Sequence, residues 1–325
     1  MTSERGINQV FVGGSGRSGT TITGFILGKH ADIWNTLPRE IRFLSDPGGL
    51  LDLTLGGASR IQYLEEAFAP KRTGRDRLTE IALKIARSER KPEDTNLDQF
   101  LEKMRGKWWH RIGPDGGPRG FHRGFDHEFF LSAVDKFEAN FASNNLLAAQ
   151  SLVSDLLDVK AQSQKASTWV DTTPLNAENA HRLVEMLPGA KVVHLVRDGR
   201  DTVSSVLTKN WGPEKPKEAL QWWFDRTMRA HLSLARCPQA QVIEVNLDEL
   251  ITDDRDAQLK RLFNFLGHEP DAAVKFYFSE NVNGDRGNQG RWRKDISPAI
   301  LKDFDETYAV MHAELVAAGV PMRAL

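Results

Sequence analysis

Apolar positions along the chain alternate between short continuous runs and stretches of helical spacing. Residues 9–12 carry the apolar run Val10-Phe-Val12 and predict a buried strand, and Ile22, Phe25, Ile26 and Leu27 then recur on one helix face. That is half of a βαβ unit. A second passage starts at Asn176, a good helix N-cap, runs through AENAHRLVEML, stops at Pro188-Gly189 and enters a strand over Lys191–Val196. Another helix is expected from about Asp201, and another strand over Gln241–Asn246. Short strands alternating with helices imply an α/β fold, a parallel β-sheet flanked by helices whose ligands sit beyond the carboxyl ends of the strands.

Between about residues 45 and 165 the pattern is helical, charged around 71–107 and interrupted by Gly113-PDGGP118. This predicts a mostly helical insertion laid over the sheet, where it would shape a pocket for a second substrate. Its aromatics Trp108, Trp109, Phe121, Phe125, Phe129 and Phe130 are read as core in preference to pocket lining.

Composition removes several function classes. With 43 basic against 44 acidic residues in 325, no global field draws the chain to nucleic acid or an anionic membrane, so charge-based recognition must be local. Cys237 is the only cysteine, which excludes an intramolecular disulfide and a cysteine-based metal cluster and suits a reducing compartment. The start, MTSERGINQ, is polar, and no segment approaches the roughly 20 apolar residues of a membrane span. A soluble, cytoplasmic protein is expected. Oligomeric state has no signature in the sequence.

The stretch VFVGGSGRSGTT, Val10–Thr21, fits two phosphate-binding patterns imperfectly. Gly14, Gly16 and Gly19 match a dinucleotide G-x-G-x-x-G, and Gly14 and Gly19 open a P-loop in which Thr20 stands where the lysine belongs. Both readings share glycines that let N–H groups converge on an oxyanion at a helix N-terminus. A plain connecting turn would not need Arg17 and the hydroxyls of Ser18, Thr20 and Thr21. A second strand tip delivers RDGRDTVSS, Arg197–Ser205, where Arg197 and Ser205 could face one oxyanion across the turn at Gly199. Arg200 and Asp201 read instead as an ion-pair cluster, with Asp201 as the N-cap. Near the C-terminus DRGNQGRWRK, Asp285–Lys294, is a basic, glycine-rich loop able to wrap a phosphate and pack beside a purine. Three such elements on one ligand suggest a nucleotide with phosphates at two ends.

These residues resemble the sulfotransferases that use 3′-phosphoadenosine 5′-phosphosulfate (PAPS). The family's 5′ loop is similar to Gly16-Arg-Ser-Gly-Thr-Thr21, its 3′ motif to Val196–Ser205, and its R-K-G-x-x-G-x-W to Arg286, Gly287, Gly290 and Trp292. Asp285 stands where that last motif has its first basic residue, leaving Arg291 or Arg293 for the contact. The segments Val245–Asp253 and Leu262–Gly267 are also like the family's. The resemblance implies a P-loop-NTPase-like sulfotransferase fold, one domain over residues 1–325 and PAPS as donor without metal. It also implies Gly16, Arg17, Ser18, Gly19, Thr20, Thr21, Arg197, Ser205, Arg286, Gly287, Gly290, Arg291 and Trp292 as cofactor-binding, with Arg17 replacing the usual lysine beside the bridging oxygen. Arginine stays protonated, so it can stabilise a leaving phosphate but donates a proton poorly.

The acceptor would be a hydroxyl of a small molecule or biosynthetic intermediate, and its attack needs a base. Glu40, in LPREIRFL, falls where protein-tyrosine and some carbohydrate members have a glutamate in a similar E-T-R stretch; as an ordinary surface carboxylate it would pair with Arg39 or Arg42. His122, in GFHR, is the alternative base, supported by residue type alone. Asp171-Thr-Thr-Pro174 stands where relatives carry D-K-[ST]-P, so Thr172 replaces a lysine. The competing readings are a P-loop small-molecule kinase with Asp171 as Walker B carboxylate, an NAD(P)-binding domain with Glu40 as ribose ligand, and a binding module without catalysis. The NAD(P) reading needs a strand before Glu40, and Trp34–Arg39, with its Pro38, is not expected to form one.

Overall fold

The computed structural model describes residues 6–36, 40–56, 96–113, 116–209, 211–252, 254–283 and 289–325. Five strands form one sheet: β1 Asn8–Gly14, β2 Ile33–Asn35, β3 Thr168–Asp171, β4 Lys191–Val196 and β5 Val242–Asn246. Their order is β2-β3-β1-β4-β5, and every pair is parallel. The α/β fold expected from the apolar pattern is therefore the one observed.

The strand β2 departs from expectation. Ile33–Asn35 pairs with β3 in the register Trp34↔Trp169, although Trp34–Arg39 was expected to be no strand. Three residues on a sheet edge are too few for alternation to show, and the pairing ends before Pro38 removes a donor. Strand order still disfavours the dinucleotide reading. In the Rossmann order β2 borders β1, whereas β3 lies between them here.

Period-two alternation divides the core. Val10 and Val12 face one side of the sheet, packing with Ile26, Leu27, Val193, Val245 and Phe263, while Phe11 faces the other with Trp169 and Val192. The first face is covered by α1 Thr20–Leu27, α12 Arg255–Leu266 and α13 Ala272–Asn281. The second carries the expected helical layer: α2 Arg42–Ser45, α3 Leu50–Leu55, α4 Leu97–Lys103, α5 His127–Phe141, α6 Asn145–Val153 and α7 Val159–Ser163. Trp108, Trp109, Phe121, Phe125 and Phe130 are buried in that layer and Phe129 is exposed, so the core reading holds for all but the last. After β3 come α8 Ala180–Met186, α9 Gly199–Val206 and α10 Pro216–Leu234. After β5 come α11 Leu247–Ile251 and, beyond α12 and α13, α14 Trp292–Asp295 and α15 Pro298–Ala318. Among the described residues no helix is long and apolar enough to cross a membrane.

Two helix starts correct the sequence reading. Asn176 does not cap a helix: it closes a 3₁₀ turn, is fully buried, and its side chain donates to Asp171 Oδ2 at 2.7 Å while accepting from Ser45 Oγ at 2.8 Å. With that amide committed to tertiary bonds, α8 begins at Ala180. On α9 the cap is Asp198, whose carboxylate accepts the Arg200 N–H at 2.8 Å, and not Asp201. Asp201 is drawn inward instead, where its Oδ2 accepts the Gly290 N–H at 2.9 Å.

Candidate active site

Both glycine-and-arginine loops leave the carboxyl ends of adjacent strands, β1 and β4, where Gly14 is opposite Leu195. Adjacent strands lie about 4.8 Å apart. Residues distant in sequence therefore meet at the one crevice where the sheet's winding changes direction. The loop after β1 runs in left-handed backbone at Gly16 (φ 86°), Arg17 (φ 60°) and Gly19 (φ 100°). Gly19 is obligatory on two counts: its φ excludes most L-residues, and a Cβ there would sit 2.6 Å from Leu247 Cδ2. Arg17 has no such excuse, and the left-handed conformation of a long side chain marks a site where local strain is tolerated.

That conformation lets Arg17 join the two loops. Its Nε donates to Ser205 Oγ at 2.9 Å, and Arg197 Nη1 donates to the Arg17 carbonyl at 3.0 Å. Burial and the neighbouring Arg197 push the Arg17 pKa down from its ordinary value. Two guanidiniums thus crowd one crevice, and an anion would relieve both. Ser18 Oγ is fully buried without a hydrogen-bond partner and stands where a Cβ on Gly14 would lie 2.2 Å away. Thr172 Oγ1, at the end of β3, is likewise buried and unpartnered. Buried hydroxyls without partners are uncommon, and both of these lie at the carboxyl end of the sheet. Thr20 is buried at the start of α1 and Thr21 beside it is exposed. The donor set is composed of hydroxyls, guanidiniums and a helix start, which fits an anion.

Two tryptophans beside this loop had no signal in the sequence beyond their residue type. A Cβ on Gly16 would sit 3.3 Å from Trp222 Cη2 and 3.9 Å from Trp211 Cη2. Their ring centroids are 6.2 Å apart, and Trp211 is 49% exposed. Together they form an aromatic wall against the loop backbone.

Of the late loop, Arg286 and Gly287 lie outside the described residues. The Gly290 amide is bound to Asp201, Arg291 Nε pairs with Asp295 at 2.7 Å, and Trp292 is 3% exposed. The Trp292 ring packs on Phe304 and carries the Arg200 guanidinium 4.6 Å above it. Arg200 also pairs with Asp198 at 2.7 Å and Asp305 at 2.6 Å, which bears out the ion-pair reading of that residue. A cavity of about 270 Å³ beside the start of α9 is lined by Asp198, Asp201 and Asp248 together with Arg200, Arg293 and Arg323. Arg17, Arg197 and Glu40 are not among its walls.

Glu40 is carried to the same end of the sheet by Asp171. The Ile41 N–H donates to Asp171 Oδ1 at 2.7 Å, and Asp171 also accepts from Thr173 Oγ1 at 3.1 Å and Asn176 Nδ2 at 2.7 Å. Asp171 is fully buried, and burial pushes its pKa up despite those bonds. Since Asp171 is paired with Phe11 on β1, Glu40 stands one strand away from the Arg17 loop. Its carboxylate meets Arg42 Nε at 3.0 Å and Arg111 Nη1 at 3.7 Å. Arg39 lies outside the described residues. Arg111, from the helical layer, was not singled out in the sequence; its Nη2 is buried without a partner, and burial with the nearby Arg42 pushes its pKa down.

His122 lies in the helical layer on a 3₁₀ turn, Phe121–Arg123, whose Phe121 packs on Phe43 of α2. Its Nδ1 is 2.6 Å from the Trp109 carbonyl. A carbonyl only accepts, so Nδ1 is the donor in this contact.

The solved structures that resemble the chain include the sulfotransferase domain from the Synechococcus PCC 7002 olefin synthase, at 16% identity and TM-score 0.46 over 95% of this chain and 96% of that one. The sulfotransferase domain from the curacin biosynthetic pathway aligns at 13% identity and TM-score 0.45, over 95% and 97%. A sulfotransferase from Mycobacterium avium aligns at 12% identity and TM-score 0.42, over 98% and 77%. No curated protein matches the chain. The profile described as the sulfotransferase family matches residues 9–272, which take in the loops after β1 and β4, Glu40, the helical layer and the sheet from Gln9 onward, and the chain belongs to that family.

Proposed function

We propose that this sulfotransferase moves the sulfuryl group of PAPS to a hydroxyl of a small-molecule or biosynthetic-intermediate acceptor. The observation that carries the reading is the Arg17 bridge, which joins a β1 loop and a β4 helix into one cationic crevice through Ser205 and Arg197. When bound, PAPS supplies an activated sulfuryl group whose leaving group is 3′,5′-adenosine bisphosphate. The loop from Gly16 to Thr21 with Ser18 would hold the 5′ end, and Arg197 with Ser205 the 3′ phosphate. Arg17, within reach of both, neutralises charge as it gathers on the departing phosphate. Glu40 accepts the acceptor's hydroxyl proton as the new oxygen–sulfur bond forms and the sulfur–phosphate oxygen bond breaks. Arg42 and Arg111 hold that carboxylate in place. His122, whose Nδ1 is held by the Trp109 carbonyl, is the alternative base. The late loop from Arg286 to Trp292 would close over the donor, with Gly287, Gly290 and Arg291 nearest the phosphate.

Two measurements test this. Calorimetry in EDTA should show 3′,5′-adenosine bisphosphate binding unchanged by removal of divalent ions, with ATP far weaker; a requirement for magnesium, or a preference for ATP, would point to the kinase reading. Glu40→Gln should leave bisphosphate affinity nearly unchanged while kcat for sulfate transfer falls by about 10² to 10⁴, the usual contribution of a general base. Full activity in that variant beside an inactive His122→Ala would transfer the role to His122.

A further inference from the structure

At the opposite end of the sheet from the anion loops, the turn before β2 and the turn after α12 bring His30, Asp32 and His268 together. Each offers one ligand atom, and the three atoms lie within 4.8 Å of one another. We propose that these residues form a binding site for one divalent, imidazole-preferring transition metal of the zinc class. Bonds of about 2.0–2.2 Å to nitrogen and carboxylate oxygen place tetrahedral ligand atoms roughly 3.4 Å apart. The widest pair therefore has to close by no more than about 1.4 Å, which rotation of incompletely buried side chains supplies.

The surroundings are those of a ligand set. His30 Nδ1 accepts the Asp32 N–H at 3.1 Å, a contact that orients the ring. His268 Nε2 is 2.8 Å from Thr168 Oγ1, a bond that fixes the ring and leaves Nδ1 facing elsewhere, as an outer partner does for a metal-bound histidine. The two rings are 4.8 Å apart at their centroids. Asp271 Oδ2 receives the Ala31 N–H at 3.4 Å, tying this turn to α13 and adding negative charge beside His30. Lys191 also acts on His268, and its ammonium is drawn toward the Phe265 carbonyl. Two imidazoles and one carboxylate leave a fourth position for water. Thr168 is the first residue of β3, so the bound ion would clamp edge strand β2 to the turn after α12, remote from the sulfuryl-transfer crevice.

The experiment is calorimetric titration of EDTA-stripped, dialysed full-length protein with Zn²⁺ and, separately, Co²⁺. One ion per chain should bind with a dissociation constant of micromolar order or tighter, Co²⁺ should give visible bands of four-coordinate intensity, and Zn²⁺ should raise the melting temperature. His268→Gln, which keeps a hydrogen bond to Thr168, and Asp32→Asn should each weaken binding at least tenfold while melting like the wild type in EDTA. His110→Ala, in the helical layer, should leave it unchanged. Absence of stoichiometric uptake below 100 µM free ion, on the order of a hundredfold above that affinity, overturns the proposal. So does uptake that survives His268→Gln and is lost in His110→Ala.

Discussion

Glu244 on β5 lies directly opposite His194 on β4 and is shared by two histidines. His194 Nδ1 is 2.8 Å from Glu244 Oε1, and His231 Nδ1, from α10, is 2.9 Å from Oε2. The other nitrogen of His231 is 3.0 Å from the Ala318 carbonyl at the end of α15. A carboxylate and a carbonyl only accept, so His231 must be an imidazolium, placed where a helix C-terminus favours a cation. Its pKa is raised, because the bonds to Glu244 and Ala318 outweigh burial, while Glu244 is lowered from 4.5 to about 2, because the two histidines outweigh burial. The Glu244 shift corresponds to about 3 kcal/mol at roughly 1.4 kcal/mol per pKa unit. A depressed carboxylate contributes stability that is complete above the unfolded value of 4.5 and lost as pH falls toward 2. A raised histidine contributes stability that is complete below 6.5 and lost as pH rises through its folded value. The perturbation is Glu244→Gln. The amide preserves shape and lets a neutral His231 accept at Nδ1, so what is lost is charge and little geometry. Urea unfolding of both proteins from pH 3 to 9 should give a stability difference of about 2 to 3 kcal/mol between pH 4.5 and 6.5, shrinking on both sides. A difference that stays flat from pH 3 to 8 would mean that the three groups are neutral hydrogen-bond partners and would refute the reasoning.

Three further outcomes follow from named contacts. Arg197→Ala should weaken 3′,5′-adenosine bisphosphate binding by about 1.5–3 kcal/mol, the range for hydrogen bonds to charged groups, and an unchanged dissociation constant in calorimetry would remove Arg197 from the donor site. Gly19→Ala should lower stability by about 1–3 kcal/mol in denaturant unfolding, since the added Cβ meets both a positive φ and the Leu247 side chain. Arg182→Ala should cost about 3 kcal/mol or more in the same assay, because Arg182 is 6% exposed and bonds to Asp52 Oδ1 at 2.9 Å, the Leu51 carbonyl at 2.8 Å and the Gly56 carbonyl at 2.6 Å, and its loss leaves Asp52 without its guanidinium.

How much of this was legible in the sequence depends on how local the chemistry is. The loop after β1 and the Arg197–Ser205 segment could be read because glycines, hydroxyls and arginines sit within ten or twelve consecutive residues at a strand tip. Ambiguity began where one short segment offered equivalent side chains: Asp198 and Asp201 can each cap a helix, and only the position of the Gly290 amide draws Asp201 inward. Asn176 looked like a cap because local pattern cannot show that Asp171 and Ser45 already claim its side chain. Arg111 beside Glu40, Trp222 over Gly16, and the grouping of His194, Glu244 and His231 had no sequence signal. Each meets its partner across 13 to 206 residues through packing of the helical layers or strand pairing.

Strand order is the most consequential fact that no local pattern carries. As a sequence, Thr168-Trp-Val-Asp171 could end in a metal-holding carboxylate, and Glu40 could be the ribose ligand of a dinucleotide. Placing β3 between β1 and β2 weighs against the second. It separates Glu40's strand from the glycine loop by one position, too far for the dinucleotide arrangement, and it sets Asp171 where the Ile41 amide, the Thr173 hydroxyl and the Asn176 amide converge. A carboxylate with three donors on its two oxygens, fully buried and with its pKa pushed up, has little capacity left for a metal ion. Its work is to hold the chain at Ile41, and by holding Ile41 it holds Glu40, with Arg42 and Arg111 on its carboxylate, at the end of the sheet where Arg17 binds Ser205.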